Sequence, residues 1–180
     1  FVLDLANNHF GDIVHAKKII REFSKVVKKN KIKAAIKFQL RDYETFIHKS
    51  FVNSNDKYVR RFLETKLKIS QFKELFRYVK KKKLLTACTP FDENSIKIIK
   101  KFKFDYLKIA SVSSNDFTLL KKAVENKIPK IISTGGLKIS EIDKIVRIMK
   151  KYNQNYSLMH CISIYPSSDF DLQISFIKSM

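Results

Sequence analysis

The chain opens on FVLDLANNHFG (Phe1–Gly11), and the turn inside this stretch separates two architectures. Phe1–Ala6 is an apolar run short enough for a strand buried on both faces. A doubly wound sheet that binds dinucleotides would follow its first strand with a glycine-rich phosphate turn. Here the run is followed by Asn7-Asn8-His9-Phe10-Gly11, which is no such fingerprint. Five more runs of the same kind follow, at Lys33–Phe38, Leu84–Cys88, Tyr106–Ala110, Lys130–Ser133 and Tyr156–Cys161. From the third run on they start at residues 84, 106, 130 and 156, close to the minimum for a strand, a helix and two short loops.

Between the runs lie helical patterns. Ile13, Ala16, Ile20, Phe23 and Val27 recur at intervals of three and four, as do Ile69, Phe72, Phe76 and Val79. Ile142, Ile145, Val146 and Met149 line a third such face, where Ser140 three residues before Asp143 predicts the N-terminal cap. Polar residues follow every strand instead of gathering at one switch point. The expected fold class is therefore α/β, a TIM-type (β/α)8 barrel, incomplete here at about six of eight strand–helix units. Such a barrel takes about 250 residues, and the chain starts at Phe1 already inside an apolar run, so it reads as a piece of a longer protein. Residues Arg41–Lys68 are too long for a simple connection and contain a polar stretch, Asn53–Lys57, and a basic-aromatic one, Tyr58–Phe62. This segment is either a lid or substrate loop at the carboxyl end of a strand or a surface excursion.

With 180 residues, 44% of them hydrophobic, and only three Gly and three Pro, the sequence describes one regular globular domain. No run approaches the roughly 18 apolar residues of a membrane span, and no signal peptide opens the chain. The net charge of +20 admits a nucleic-acid binder or a set of solvated helix faces. Only six of the 37 basic residues are Arg, and no patch of Arg forks with interleaved aromatics stands out. The solvated-face reading is preferred, with no nucleic acid and no membrane as partner. Cys88 and Cys161 lack metal-type spacing and read as small buried residues in a reducing cytoplasm.

Chemistry gathers at the strand ends. Asp4, Asn7, Asn8 and His9 follow the first strand, and Lys37 and Gln39 share one face of the second. Thr89-Pro90-Phe91-Asp92 end the third, Lys108 and Ser111 the fourth, Ser133-Thr134-Gly135-Gly136 the fifth, and His160, Ser163 and Tyr165 the sixth. A lysine in an apolar strand is costly to bury without a compensating anion. Lys37 and Lys108 both sit in such strands, which predicts a site for a ligand carrying phosphate and carboxylate. The alternative is that each pairs with a core carboxylate such as Asp4 or Asp105.

The order of these motifs resembles the N-acetylneuraminate (sialic acid) synthase family, which includes the legionaminic and pseudaminic acid synthases. The resemblance covers essentially the whole chain. It rests on Asp4–Asp12 (DLANNHFGD), Ala35–Gln39 (AIKFQ), Cys88–Asp92 (CTPFD), Leu107–Ser111 (LKIAS), Ile131–Gly135 (IISTG) and His160–Pro166 (HCISIYP).

The resemblance implies a phosphoenolpyruvate-dependent transferase. It would condense phosphoenolpyruvate with an N-acetylated amino sugar such as N-acetylmannosamine, giving a nine-carbon 2-keto sugar acid and phosphate. Phosphoenolpyruvate contacts map onto Lys37, Thr89, Lys108, Ser111, Ser133 and Ser163, and sugar contacts onto Gln39 and Tyr165. Asp4 and Lys37 take the catalytic positions. The chain departs from the family in carrying Asp4 for a glutamate, Ser113 for a sugar-contacting glutamate and, against some members, Ser163 for asparagine. A divalent metal, Mn or Mg, is expected in the full-length enzyme. Its histidine ligands are expected in Ser-Asp-His and Lys-His-Phe segments past Met180, so no metal role falls on His9 or His160; His9 is read as a hydrogen-bonding turn residue. Residues 1–180 are then the N-terminal part of a single synthase barrel domain. The last two barrel units and the C-terminal antifreeze-like domain lie outside it, and this piece alone is expected to be inactive. The full protein is expected to be a cytoplasmic homodimer.

Overall fold

The computed structural model of the chain describes residues 1–164 and 166–179. The predicted sugar contact Tyr165 lies outside them. The chain divides into two compact units, Phe1–Asp105 and Tyr106–Met180. Six strands are found among the described residues, each parallel to its neighbours within its unit, and five of them lead into helices. This is the strand–helix alternation of the TIM-type barrel.

In the first unit, β1 (Val2–Asp4), β2 (Ala35–Leu40) and β3 (Leu85–Pro90) lie in chain order. Asp4 stands opposite Lys37, and Gln39 opposite Thr89. Helix α1 (Ile13–Lys29) connects β1 to β2 and buries Ala16, Ile20 and Val27 on the predicted stripe. The predicted Arg41–Lys68 excursion folds as α2 (Tyr43–Phe46), one 3₁₀ turn (Lys49–Phe51) and α3 (Lys57–Glu64). Helix α4 (Ile69–Lys81) follows, burying Phe72, Leu75 and Val79, while Ile69 in its first turn is exposed. Helix α5 (Glu93–Phe102) follows β3. Phe38 on β2 anchors the core, meeting Phe72 and Phe104 edge-on with centroids 6.3 and 5.9 Å away, the favoured geometry for aromatic pairs.

In the second unit, β4 (Tyr106–Ile109), β5 (Lys130–Ser133) and β6 (Tyr156–Met159) are again in chain order, with α6 (Phe117–Val124) and α7 (Ile139–Lys151) between them. Leu107, Ile109, Leu120, Ile132 and Ile145 are fully buried there. The predicted cap of α7 is corrected. The helix starts at Ile139 with Lys138 as N-cap, whose backbone N–H donates to Glu141 at 2.8 Å. The longer Glu141 side chain reaches back to that amide, which leaves Ser140 inside the first turn.

Four helices leave through the same local device. Lys31, Lys83, Lys103 and Asn153 follow α1, α4, α5 and α7 with φ of 51°, 59°, 58° and 47°. At each, two successive N–H groups turn back to carbonyls of the last helical turn, as in Lys31 to Lys28 and Ile32 to Val27. This is the Schellman exit, normally given to glycine because a Cβ crowds the following carbonyl.

Predicted and observed strands overlap in every case, and β5 coincides with its prediction. β2 and β3 run two residues further than predicted, to Leu40 and Pro90, because the ladder continues through the polar Gln39 and Thr89. β1 is shorter, because Ala6 turns to φ 42° and Asn8 N–H closes on Leu5.

Candidate active site

In the first unit, alternation along β2 puts Lys37 and Gln39 on one face, and Arg41 follows the strand directly. Lys37 Nζ lies 2.7 Å from Asp4 Oδ2, with the lysine side chain 15% and the aspartate 47% exposed. The other Asp4 oxygen accepts the Ala6 N–H at 3.0 Å. So Lys37 does pair with a carboxylate, but that carboxylate is half open to water at the strand end. The second candidate core carboxylate, Asp105, is held by Lys80 at 2.6 Å and by Thr86 at 2.7 Å. Burial raises the Asp105 pKa, and the bonds from Lys80 and Thr86 outweigh it to leave a net lowering.

Thr89 is 2% exposed, and its hydroxyl has no hydrogen-bond partner among the described residues. Buried hydroxyls are nearly always bonded, so this one is poised for a ligand. The Gln39 carboxamide oxygen accepts from Arg41 Nη2 at 2.7 Å. Asp92 of the CTPFD motif is structural: it accepts the Ser95 N–H to cap α5, and the Asp42 N–H at 2.7 Å. Cys88 is buried as predicted, and burial pushes its thiol pKa well up, against the opposing charges of Lys37 and Arg41. His9 is a turn residue, as its sequence context predicted: Nδ1 accepts the Gly11 N–H at 3.0 Å. Its pKa is lowered, first by burial and then by His15.

In the second unit four of the predicted residues come together. Lys108 Nζ donates to Ser133 Oγ and to the Ile109 carbonyl, the latter at 2.9 Å. Ser111 Oγ accepts the Gly135 N–H at 3.2 Å. A Cβ on Gly135 would lie 2.5 Å from Ser163 Oγ and 2.9 Å from both Ser111 Oγ and the Cys161 carbonyl. Glycine is therefore required there by close approach. One ammonium and three hydroxyls from three strand ends make a cradle for a tetrahedral anion, because charge-assisted hydrogen bonds to phosphate are the strong ones.

Two residues beside these sites were not predicted. The Cys161 thiol, expected to be a buried core residue, is half-buried and donates to Ser133 Oγ at 3.2 Å. Arg41 was read only as the start of the long loop. Lys130 is a further lysine in a strand, fully buried, with Nζ 2.6–2.8 Å from oxygens of Asn126, Ile128 and Gln154. Burial and then Lys127 lower its pKa to about 8. Neutral oxygens offset part of the cost of burying this ammonium, so a strand lysine does not by itself require an anion. Ser113, at the family's glutamate position, is buried in a 3₁₀ turn. His160 Nε2 lies 2.8 Å from the Leu172 carbonyl, with its ring beside Phe176.

Among the described residues, no three His, Cys, Asp or Glu side chains are grouped so as to hold a metal. The histidine ligands expected for the metal fall in segments past Met180. No described helix is long and apolar enough to cross a membrane.

The chain is 29% identical over 186 residues to the N-acetylneuraminate-9-phosphate synthase of Drosophila melanogaster, covering 98% of this chain and 49% of that protein. A putative spore coat polysaccharide biosynthesis protein E from Chromobacterium violaceum superposes with a TM-score of 0.95 at 36% identity, over 99% of this chain and 54% of that one. The N-acetylneuraminic acid (sialic acid) synthetase of Leptospira borgpetersenii, solved in complex with citrate, superposes with a TM-score of 0.86 at 31% identity, over 99% and 59%. The chain thus spans about half the length of the relatives it matches. The family model described as the NeuB family matches residues 26–180, and the chain belongs to that family.

Proposed function

We propose that the protein condenses phosphoenolpyruvate with an N-acetylated amino sugar, such as N-acetylmannosamine, to a nine-carbon 2-keto sugar acid. The observation that carries this reading is the cradle of Lys108, Ser111, Ser133 and Ser163 around Gly135, which suits a phosphate. The orphan Thr89 hydroxyl and the Lys37–Asp4 pair supply a further donor, a cation and a carboxylate. In the reaction the enol carbon bonds to the aldehyde carbon, one water is taken up, and inorganic phosphate is released.

The residues present bind and orient. By the family resemblance, Lys37 and Lys108 each bring a positive charge to the trianionic substrate, and the hydroxyls of Thr89, Ser111, Ser133 and Ser163 direct its oxygens. Gln39 and Tyr165 meet the sugar, and Asp4 places a carboxylate beside the reacting carbons. Holding the two substrates in register supplies much of the rate. We assign the protein to the cytoplasm as a homodimer, on the family resemblance.

The test is phosphate release by the full-length protein with phosphoenolpyruvate and a panel of aldehydes: N-acetylmannosamine, its 6-phosphate, and N-acetylated deoxyamino sugars. Release that depends on one of these acceptors, with a 2-keto acid product by mass, is expected. Absence of phosphate release with every acceptor would overturn the reading.

A further inference from the structure

We propose that Arg41 is a positioning residue that locks the Gln39 carboxamide with its NH₂ group outward, so that this position donates hydrogen bonds to an oxygen of the acceptor substrate. The inference rests on the reading of Gln39 as a sugar contact given above, and it narrows what that sugar must present.

Which end of a glutamine amide faces which neighbour is normally ambiguous, because both ends bond equally well. Arginine removes the ambiguity, since a guanidinium carries only donors. The amide atom 2.7 Å from Arg41 Nη2 must be the oxygen. Among the described residues the amide nitrogen has no hydrogen-bond partner and is not one of the buried unpaired atoms, so it faces outward.

Arg41 can fix Gln39 because it is itself held. Its guanidinium carbon lies 4.0 Å from the ring centroid of Phe91 after β3, 4.6 Å from Phe62 of α3, and 5.3 Å from Phe46 of α2. Phe46 packs in turn against Phe62 and Phe91, with centroids 5.5 and 5.9 Å away. Three segments therefore clamp one cation, each by a cation–π contact. The same nest leaves Arg41 Nε buried with no partner. An apolar side chain would fill this aromatic box without stranding a donor, so packing alone does not account for an arginine here. The guanidinium also interacts with the Tyr43 hydroxyl and with Asp92, and holding the amide of Gln39 is the role assigned to it.

The chemistry follows directly. A position that offers two N–H donors and no acceptor accepts an amide carbonyl or a hydroxyl and disfavours an ammonium. It thus takes an oxygen rather than an ammonium at the group that meets Gln39.

The experiment compares Arg41→Met, Arg41→Lys, Gln39→Glu and the double variant Gln39→Glu/Arg41→Met in the full-length protein. Two readouts are used, melting temperature and the separate KM values for acceptor and phosphoenolpyruvate. Arg41→Met should raise the acceptor KM about tenfold, the worth of one hydrogen bond, and leave the phosphoenolpyruvate KM within about twofold of wild type. Arg41→Lys, which keeps a cation over the rings, should fall between. Gln39→Glu should raise the melting temperature in the wild-type background, by a charge-assisted bond to Arg41, and not in the Arg41→Met background. That melting cycle needs no turnover, so it reads the Arg41–Gln39 coupling even in a protein inactive with every acceptor, where only the proposed reaction would fall. An Arg41→Met variant that melts lower but keeps both KM values would show that Arg41 serves packing alone and overturn the inference. So would a Gln39→Glu effect on melting that is independent of Arg41.

Discussion

Replacing Gly135 with alanine perturbs the proposed phosphate cradle through a single methyl group. The new Cβ would stand 2.5 Å from Ser163 Oγ and 2.9 Å from both Ser111 Oγ and the Cys161 carbonyl oxygen. Ordinary contact begins at 3.4 Å. The two hydroxyls can rotate away, but Cys161 O is backbone and must retreat about half an ångström for its clash to clear. Overpacking of this kind costs about 1–3 kcal/mol, and for a chain of this size each kcal/mol lowers Tm by about 2–4 °C. The expected fall is therefore about 2–12 °C by scanning fluorimetry. Rotating Ser111 and Ser163 also turns two donors from the anion, and a hydrogen bond to a charged group is worth about 1.5–3 kcal/mol. Phosphoenolpyruvate affinity, measured by calorimetry on the full-length protein, should fall by about 10- to 100-fold. An alanine variant that melts within about one degree of wild type and binds phosphoenolpyruvate equally well would refute both the crowding argument and the cradle.

Lys37→Met keeps side-chain volume while removing the charge. It should lower phosphoenolpyruvate use about 30- to 1000-fold in steady-state kinetics, from a loss of about 2–4 kcal/mol. A variant that instead melts much lower, yet keeps its phosphoenolpyruvate KM and kcat when folded, would mark Lys37–Asp4 as a purely structural pair. For Lys130, with a folded pKa of about 8 below the usual lysine value, the unfolded chain binds more protons between those two values. Stability should therefore rise as pH climbs from about 8 toward about 10.5. Chemical denaturation against a Lys130→Met control reads this slope, and parallel curves for the two proteins would refute it.

Much of the fold was legible in the sequence because buried parallel strands read as short apolar runs, and they do so here even where a lysine interrupts them. The ends of β2 and β3 were not, because Gln39 and Thr89 look like loop residues until their neighbours keep the ladder going. The stripes of α1, α4 and α7 were found from spacing, but Ile69 was placed inside although it stands in an exposed first turn. The Lys108–Ser111–Ser133–Ser163 cluster was readable because each residue sits at or shortly past the end of one of three strands. The role of Arg41 was not, since its meaning depends on Phe62 and Phe91, rings that only folding brings to it. Lys130 was missed for a similar reason. Its oxygens come mostly from backbone carbonyls and Gln154, none of which signals a lysine partner in sequence.

The left-handed helix exits bear on the chain's basic character. With three glycines in 180 residues, the backbone is asked to make tight reversals with whatever residue is at hand, and at Lys31, Lys83 and Lys103 that residue is lysine. A lysine here fills a backbone conformation first, and its charge comes with it. Its stem has no Cβ advantage, and its charge falls near the carbonyl end of a helix, where a cation is welcome. Part of what looks in the composition like a polycation is thus helix-end chemistry, one charge per exit, with Lys31 and Lys83 on the same side of the first unit's sheet, where the parallel strands β2 and β3 begin.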